Sequence, residues 1–416
     1  MRINNTYKKN IAIIGAGASG CACAYFLLKA GFEVTLFDYN SPLRTLLPTG
    51  GGRCNLGYAE YDFKELVKNY PRGEKFLYSV FSKFSTYDTL ALFEELGVET
   101  YTQENGRIFP ASNSSKDVRE KFLKSIEKAC FIKEGVNEIV QIPLQTTDER
   151  MSDRVAALHR LPKNNSPSPL AGDGRGEGFR IKTDKAEYFF TDVVISVGGG
   201  KYIKGLNHKI IPYSPALVGL NTNIKTLSGV VIKDVYSADC SLSDDLLFTH
   251  FGISGPLAYK ISSIKTKDHF PYKLSFDLYK KDFDLQKLLN ENPHKDLKNI
   301  LSLIFPHRFA EYLAGGFAEV KAHKIDGKTR DLILNKIHNF EMNVTGVNKG
   351  EETVTAGGYD LNEVNPKTME SKLYPNLYIT GEALDIDGFC GGFNLQNAWS
   401  TGFVAAEGII NNYPSP

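Results

Sequence analysis

The sequence has little of what marks secreted, metal-binding or nucleic-acid-binding proteins. Six cysteines scattered over 416 residues make no disulfide framework, and Cys21-Ala-Cys23 is too tight for a CxxC motif. The eight histidines show no ligand spacing, so we expect no metal. A net charge of only +1 supplies no field that would attract nucleic acid or an anionic membrane.

Long hydrophobic runs are also scarce. Residues 11–28 carry no charge and follow Lys8 and Lys9, a pattern similar to that of a signal peptide or a short membrane anchor. The glycines in this segment argue against both, because their spacing has another explanation. We therefore expect a protein of the reducing cytoplasm with no membrane partner.

The N-terminal region has a β-α-β pattern instead. "IAIIG" at 11–15 predicts a buried parallel strand, residues 19–30 predict a helix, and "EVTLFD" at 33–38 predicts a second strand. The loop after the first strand and the start of the helix together have a G-x-G-x-x-G spacing, which covers Gly15, Gly17, Ala18, Ser19 and Gly20.

This loop has the chemistry of a dinucleotide-binding site. Gly15 would permit the tight turn, Gly17 would let a pyrophosphate approach the backbone, and Gly20 would let helix and strand pack closely. Asp38 ends the second strand and would accept hydrogen bonds from an adenosine ribose. A glycine-rich turn without a ligand is the alternative.

Residues 143–178 differ in composition from the rest of the chain. They are dense in Pro, Ser and Gly from 162 onwards and rich in arginine, whereas lysine dominates elsewhere. We interpret them as an insertion in a hairpin whose strands lie in 131–142 and 179–183. A functional basic loop is the alternative.

The remaining pattern predicts an α/β fold in which one Rossmann domain is interrupted by an inserted β-rich domain. We place the first segment of the FAD-binding domain at 1–200 and its second segment at 356–416. The inserted substrate-side domain is placed at 201–355. A helical part is expected at about 282–340, with an amphipathic helix over 296–313. Strand-to-glycine junctions recur at Gly198-Gly199 and at Gly381. No second fingerprint indicates a separate NAD(P)H domain.

Several longer motifs carry a resemblance to a known family. They are "RTLLPTGGGRCN" (44–55), "GRIFPASNSSKDV" (106–118), "LFTHFGISGP" (247–256), the block 354–388 and "GGFNLQNAWSTG" (391–402). With the fingerprint, they resemble the HI0933-like flavoproteins, also called BaiN-like or aminoacetone-oxidase-like, of the glutathione-reductase-like superfamily. Leu43 departs from the family pattern, in which glycine commonly precedes Arg44.

The resemblance implies FAD and assigns residues to it. Asp38 should hold the ribose, Val136 should offer backbone groups to the adenine, and Glu382 should accept bonds from the ribityl hydroxyls; a helix-capping role is the alternative for Glu382. Further cofactor contacts are expected from Arg44, Gly50, Gly51, Gly52, Arg53, Cys54, Asn55, Gly198, Gly199, Gly381, Gly392, Phe393 and Asn394.

Two residues are candidates for catalysis. His250 precedes a predicted helix with Pro256 in its first turn and could donate a proton or orient substrate. Arg107 in "GRIFP" is the second candidate. A structural role is the alternative for each.

Cys54 has two interpretations. Arg53 beside it could favour a reactive thiolate, whereas a small packing residue is the simpler interpretation, which we prefer. Pairing with Cys390 across the fold is a further alternative.

The expected function is that of an FAD-dependent oxidoreductase acting on a small organic molecule, with hydride transfer at flavin N5. It would be an NAD(P)H-linked reductase, with the donor bound transiently, or an amine-type oxidase. The alternatives are a flavoprotein of tRNA modification, which the near-neutral charge disfavours, and a flavin-bound redox or interaction protein without turnover.

Overall fold

The computed structural model describes residues 10–143, 177–200, 202–279, 284–348 and 354–413. The chain divides into two compact units, the first Met1–Tyr213 with Gly357–Pro416 and the second Ser214–Ala356. We had expected boundaries at 200–201 and 355–356. Of the insertion expected at 143–178, residues 144–176 lie outside the described residues.

The described strands are short, and their bounds are as follows. They are β1 (Asn10–Ile14), β2 (Glu33–Phe37), β3 (Gly57–Tyr58), β4 (Thr100–Thr102), β5 (Arg107–Pro110), β6 (Cys130–Ile132), β7 (Val136–Pro143), β8 (Glu177–Thr183), β9 (Glu187–Phe190), β10 (Asp192–Ile195), β11 (Ile210–Ala216), β12 (Leu220–Thr222), β13 (Val231–Ser237), β14 (Leu242–Phe248), β15 (Gly252–Ser254), β16 (Tyr272–Asp277), β17 (Phe340–Val347), β18 (Val354–Tyr359) and β19 (Leu377–Ile379).

The described α-helices occur in both units. They are α1 (Ala18–Lys29), α2 (Phe63–Leu66), α3 (Glu74–Phe81), α4 (Thr86–Glu95), α5 (Ser115–Ser125), α6 (Gly255–Ile264), α7 (Leu285–Glu291), α8 (Leu297–Leu301), α9 (His307–Ala314), α10 (Gly327–His338) and α11 (Phe393–Asn412).

A parallel sheet forms the centre of the first unit, with strand order β19-β10-β1-β2-β6. All five residues of β1 are buried, as expected for a strand covered on both faces. Helix α1 leads from β1 to β2, so the predicted β-α-β unit is confirmed. Because the strands are parallel, the loops after β1, β10 and β19 leave the same edge of the sheet.

Two antiparallel sheets lie in the same unit. Strands β7, β8 and β9 form one sheet, and β3, β5 and β4 form another. In the first of these, Pro143 is paired with Glu177 across the expected insertion, so the predicted hairpin is confirmed. The single strand expected at 131–142 is divided, because β6 joins the parallel sheet and β7 turns away into the hairpin.

The second unit contains a closed barrel with strand order β12-β15-β14-β13-β16-β17, and helices α7 to α10 lie in the same unit. The predicted α/β class with added β-rich elements is confirmed. We expected one helix over 296–313, but α8 ends at Leu301 and α9 starts at His307. Pro306 lies directly before α9, and a proline inside a helix would remove a hydrogen bond and clash with the preceding turn.

Two features are absent from the described ranges, 10–143, 177–200, 202–279, 284–348 and 354–413. No helix in them is long and apolar enough to cross a membrane. No group of three or more His, Cys, Asp or Glu side chains in them could hold a metal ion.

Candidate functional site

The loop after β1 needs glycine at two positions for steric reasons. Gly15 has a φ of +103°, and a Cβ there would lie 2.7 Å from the carbonyl oxygen of Ser196. A Cβ at Gly20 would lie 2.0 Å from the carbonyl oxygen of Gly15, so the helix can approach the loop only without a side chain. At Gly17, by contrast, no atom of the described residues lies within 4 Å of a Cβ. The backbone is therefore open to a ligand at that position.

The carboxylate of Asp38 braces this loop from the end of β2. Its Oδ2 accepts a hydrogen bond from the backbone N–H of Ala16 at 2.9 Å, and its Oδ1 accepts one from Asn40 at 2.8 Å. A carboxylate offers about four lone-pair sites, so two donors leave capacity for ligand hydroxyls.

Asp38 also lines a cavity of about 310 Å³. Other lining residues are Gly15, Tyr39, Val136, Val197 and Tyr202. The cavity thus joins the glycine loop to the start of β7, where the resemblance places the adenine. Its walls include tyrosine and valine side chains together with the carboxylate.

Buried hydroxyls connect three strand ends at the edge of the sheet. The hydroxyls of Ser19 and Ser196 are hydrogen-bonded to each other, and the hydroxyl of Thr380 donates to Ser196 at 3.1 Å. Gly381 follows, and its N–H donates to the hydroxyl of Thr401 at 2.9 Å. A Cβ at Gly381 would lie 2.3 Å from the Ser19 hydroxyl oxygen. The loops after β1, β10 and β19 are therefore joined at one place.

Glu382 lies against the loop that follows β10. A Cβ at Gly198 would come within 2.6 Å of the Glu382 Oε2, so the carboxylate and the glycine backbone are in contact. Burial raises the pKa of the Tyr213 phenol, and the charge of Glu382 raises it further. Gly199 has a φ of +71°, with no atom of the described chain within 4 Å of a Cβ. The Glu382 carboxylate thus lies beside a stretch of backbone that is open to a ligand at Gly199.

The three glycines at 50–52 all have left-handed backbone conformations, with φ of +59°, +68° and +85°. A Cβ at Gly50 would lie 2.8 Å from the backbone nitrogen of Asn55 and 2.9 Å from the Phe109 ring. At Gly51 and Gly52, nothing in the described part of the chain lies within 4 Å of a Cβ. The glycine run therefore serves both the turn and an open surface.

Cys54 and Arg53 differ sharply in their surroundings. The Cys54 side chain is fully buried, and burial raises the pKa of its thiol to about 12, partly offset by a hydrogen bond with Thr49. The thiol is therefore protonated at neutral pH, which agrees with the packing interpretation. The guanidinium of Arg53 lies 4.2 Å from the centre of the Phe109 ring, and its Nε donates to the Gly50 carbonyl at 3.3 Å.

Helix α11 begins close to Asn55, which follows the glycine run at 50–52. Its N-cap Gly392 has a φ of +104°, and a Cβ there would lie 2.4 Å from the Gly57 carbonyl oxygen. The Asn394 side chain accepts from the Gly388 N–H and donates to the Gly388 carbonyl, each at 2.8 Å. Phe393 is buried, and its ring centre lies 4.8 Å from that of Tyr58. The side chains of Phe393 and Asn394 thus hold the segment that leads into α11. The N–H groups of the first turn of the helix are left to face a ligand.

Arg107 and Cys390 are brought together from distant parts of the chain. The Arg107 guanidinium on β5 donates to the Cys390 sulfur at 4.0 Å. Cys390 is exposed, whereas Cys54 is buried, and both are free thiols. The alternative of a Cys54–Cys390 disulfide is therefore wrong for this structure.

Two further predicted residues, Arg44 and His250, are exposed. Arg44 is exposed and donates to the Asn40 side chain at 2.5 Å; the preceding Leu43 has a φ of +55°, which explains why glycine commonly stands there. His250 belongs to the second unit, where it is exposed beside Phe251 and precedes α6. Its catalytic role stays a prediction.

Comparison with known proteins identifies the family. The HI0933-like protein Rossmann domain family matches residues 9–157 and 170–408. This chain belongs to that family. The HI0933-like family comprises FAD-binding oxidoreductases.

Individual relatives of this HI0933-like chain have different names. It is 28% identical to a ribosomal RNA dihydrouridine synthase of Escherichia coli, covering 96% of this chain and 97% of that protein. It is 26% identical to a 3-dehydro-bile acid delta(4,6)-reductase of Clostridium scindens, covering 95% and 98%. A solved 3-ketosteroid delta1-dehydrogenase of Sterolibacterium denitrificans is similar at 10% identity and a TM-score of 0.47, covering 97% and 100%.

The residues of this HI0933-like site fit FAD. The backbone is open at Gly17, Gly51 and Gly52, where side chains would occupy the space of a ligand. Asn55 is 9% exposed, and its Oδ1 has no hydrogen-bond partner among the described residues, so a buried acceptor is left for a ligand N–H. The cavity beside Asp38 is suited to an adenosine, which distinguishes FAD from FMN.

Sequence reasoning missed the hydroxyl cluster and the pairing of Arg107 with Cys390. Ser196 and Thr380 each directly follow a buried strand of the parallel sheet, and that position is the signal that could have found them. Nothing local in the sequence relates Arg107 to Cys390.

Proposed function

We propose that this chain is an FAD-dependent reductase that adds a hydride and a proton across a carbon–carbon double bond conjugated to a carbonyl. The observation that carries the proposal is the pair of near-full-length relatives with unlike substrates. Converting uridine to dihydrouridine saturates a double bond conjugated to a ring carbonyl. A delta(4,6)-reductase of a 3-dehydro-bile acid saturates the same kind of bond. One reaction thus accounts for both names.

The residues described above support this reaction by holding the cofactor. FAD, when bound and reduced, supplies the hydride from N5. Asp38 and the open backbone at Gly17 would hold its adenosine and pyrophosphate, and Glu382 would accept bonds from its ribityl hydroxyls. The N-terminus of α11 would favour the negative charge that develops on the ring.

As substrate we propose first a uracil ring within ribosomal RNA. The Haemophilus influenzae relative, 27% identical over 97% of this chain and 98% of that protein, has the same name as the Escherichia coli one. Ribosomal RNA is a cytoplasmic substrate, which agrees with the location expected from the sequence. Because the net charge is only +1, we propose recognition of a short local RNA structure rather than of a long polyanion.

A small fused-ring enone is the second candidate substrate, favoured by the Clostridium scindens relative. It preserves the small-molecule expectation from the sequence. For either substrate we propose NADH or NADPH as a transient electron donor. The parallel sheet of the described first unit is assigned to FAD, so the donor would bind at the flavin face.

Complementation tests the RNA proposal directly. The chain is expressed in Escherichia coli lacking its own ribosomal RNA dihydrouridine synthase, and dihydrouridine in purified ribosomal RNA is measured by nucleoside mass spectrometry. We expect dihydrouridine to return with the wild-type chain and not with a Gly51→Val control. Its absence with soluble, FAD-loaded protein would reject the RNA substrate.

Purified protein tests the reaction class. Holoenzyme is reduced anaerobically with NADH or NADPH and mixed with a uridine-containing RNA hairpin or with a 3-oxo-delta(4,6) bile acid. Reoxidation of the flavin with formation of the saturated product supports the proposal. If neither substrate reoxidises the flavin, an amine is tested in its place. Reduction of the flavin by the amine, followed by reoxidation with oxygen, would favour the oxidase alternative instead.

A further inference from the structure

Two segments of the second unit are paired along their backbones. Residues 293–298 lead into α8, and residues 318–328 lead into α10. The N–H of Ala322 donates to the carbonyl of Lys295 at 2.9 Å, and three further backbone hydrogen bonds join the same two segments. The fold therefore brings the side chains of these paired segments, 293–298 and 318–328, to one region of the surface.

The paired segments are rich in basic side chains. They contain five lysines and two histidines against three acids, whereas the net charge of the whole chain is only +1. The two histidines, His294 and His323, are exposed, and their ring centres lie 5.8 Å apart. The near-neutral charge of the whole chain thus conceals a local concentration of basic groups.

Each acid in the paired segments already has a partner. Asp296 forms an ion pair with Lys321 at 2.8 Å, and Glu319 forms one with Lys298. The Asp326 carboxylate accepts a backbone N–H in the first turn of α10 at 2.7 Å. Three exposed lysines are left that form no ion pair with any residue in the part of the chain that the structure describes: Lys295, Lys324 and Lys328.

This arrangement favours a ligand with several negative charges. Like charges that the backbone holds close together repel one another, and an anion bound among them relieves the repulsion. A lysine ammonium binds phosphate as a compact point charge with three donors. Successive phosphates along a nucleic-acid strand can therefore be bound by several lysines at once.

The surroundings of these lysines favour RNA over a membrane surface. Segments that bind to membranes usually add large apolar side chains, which enter the lipid. No large hydrophobic side chain of residues 293–298 or 318–328 is exposed. The paired segments therefore offer charge without an apolar anchor.

We propose that the paired segments bind the phosphate backbone of the RNA substrate, with Lys295, Lys324 and Lys328 as the contacting residues. This inference rests on the proposed ribosomal RNA substrate. Contacts to phosphates position the RNA without reading its sequence. Three lysines contact only a few phosphates, which agrees with recognition of a short local RNA structure.

Salt-dependent binding of the uridine-containing RNA hairpin to the FAD-loaded protein tests the surface. Affinity is measured by fluorescence anisotropy at several concentrations of KCl. Each phosphate contact contributes about 0.7–0.9 to the slope of log affinity against log salt concentration. A triple variant with Lys295→Gln, Lys324→Gln and Lys328→Gln should therefore lower that slope by about two to three, whatever the loop sequence. Arginine at the same three positions should keep the wild-type slope.

A matched triple variant removes the same charge elsewhere. It carries Gln at three exposed lysines that each form an ion pair with an acid: Lys29, Lys68 and Lys233. Its slope should stay close to that of the wild type, because these lysines lie outside the paired segments. Both triple variants should keep the FAD content and the unfolding temperature of the wild type, which excludes a general loss of structure.

Each outcome decides a specific point. If the hairpin binds the wild type but the slope is unchanged in the first triple variant, or falls equally in the matched one, this inference alone is rejected. If the wild type does not bind the hairpin, or if only phosphatidylglycerol vesicles bind through the three lysines, the surface is rejected as an RNA site. If the hairpin binds through the three lysines but neither the hairpin nor the 3-oxo-delta(4,6) bile acid reoxidises the flavin, the proposed function is rejected and the RNA-binding surface is retained.

Discussion

The Asp38 carboxylate and the backbone N–H of Ala16 are joined by a hydrogen bond of 2.9 Å. The side chain that directly follows β2 thus holds the loop that follows β1, and it also lines the neighbouring cavity. One carboxylate therefore stabilises the glycine loop and borders the space for the adenosine.

Asp38→Ala should weaken FAD binding. Hydrogen bonds to a charged group contribute about 1.5–3 kcal/mol, or roughly tenfold to a hundredfold in affinity. The dissociation constant is measured by fluorescence titration of the apoprotein. The control is Asp326→Ala, because Asp326 accepts the Thr329 N–H at 2.7 Å in the second unit. We expect the control to lose stability, as substitutions of an N-cap aspartate do, and to keep its FAD affinity. Equal affinities for Asp38→Ala and wild type would contradict the ribose assignment.

Gly51→Val should abolish FAD binding, because its side chain would project into open space that we assign to the cofactor. Gly97→Val is the matched control. Gly97 has a φ of +72°, close to the +68° of Gly51, and a Cβ there likewise meets no described atom within 4 Å. Both variants carry similar backbone strain, so the control should lose stability and retain FAD. Loss of FAD in both would show that strain, rather than occupied space, is responsible.

Glu382→Gln should weaken FAD by roughly tenfold to a hundredfold, because an uncharged amide accepts the ribityl hydroxyl bonds less strongly. Glu363→Gln, in a short helical turn of the same unit, is the control and should bind FAD normally. Since Glu382 helps to raise the pKa of Tyr213, the Glu382→Gln variant should also lower that pKa. An ultraviolet titration checks this second effect without FAD. An unchanged FAD affinity would place Glu382 away from the ribityl chain.

Cys54→Ala should keep FAD and be reduced at the wild-type rate, because the Cys54 side chain is buried and protonated. Its pKa is raised from 9.0 to about 12, so the folded state holds the proton more tightly than the unfolded state. The stability that this contributes is complete below pH 9 and is lost as the pH rises toward 12. Urea unfolding from pH 8 to pH 11 should therefore show a steeper loss for wild type than for Cys54→Ala. Parallel curves would contradict the raised pKa.

Replacing residues 144–176 by a two-residue Asn-Gly turn should leave FAD binding intact. Pro143 and Glu177 are already paired, so a short turn can close the hairpin in the existing register. Val136 and Asn137 at the start of β7 line the cavity, and their positions should be kept. Soluble expression and the FAD dissociation constant are the measurements. Loss of soluble expression or of FAD binding would show that the replaced segment has a structural or functional role, as the basic-loop alternative holds.

Local patterns were sufficient for much of the fold. The apolar run before Gly15, the helix after it and the strand before Asp38 are set by neighbours in the chain, because strand and helix periodicity is a short-range property. The hairpin of β7 and β8 was also predictable, since two alternating strands flank a segment of different composition. Pro306 shows where this approach failed: the amphipathic pattern over 296–313 continued through a proline that directly precedes a new helix.

The site itself depends on contacts between residues far apart in sequence. Ser19 and Ser196 are separated by 177 positions, and Arg107 and Cys390 by 283. The sequence alone determined which backbone conformations and which charges are available, because these depend on the residue types and on the spacing of the glycines. Which of them meet was decided only by the tertiary structure, where parallel strands bring their carboxyl ends to one edge. Burial decided the chemistry of Cys54 in the same way, because the pKa of a thiol depends on all the atoms that exclude water from it.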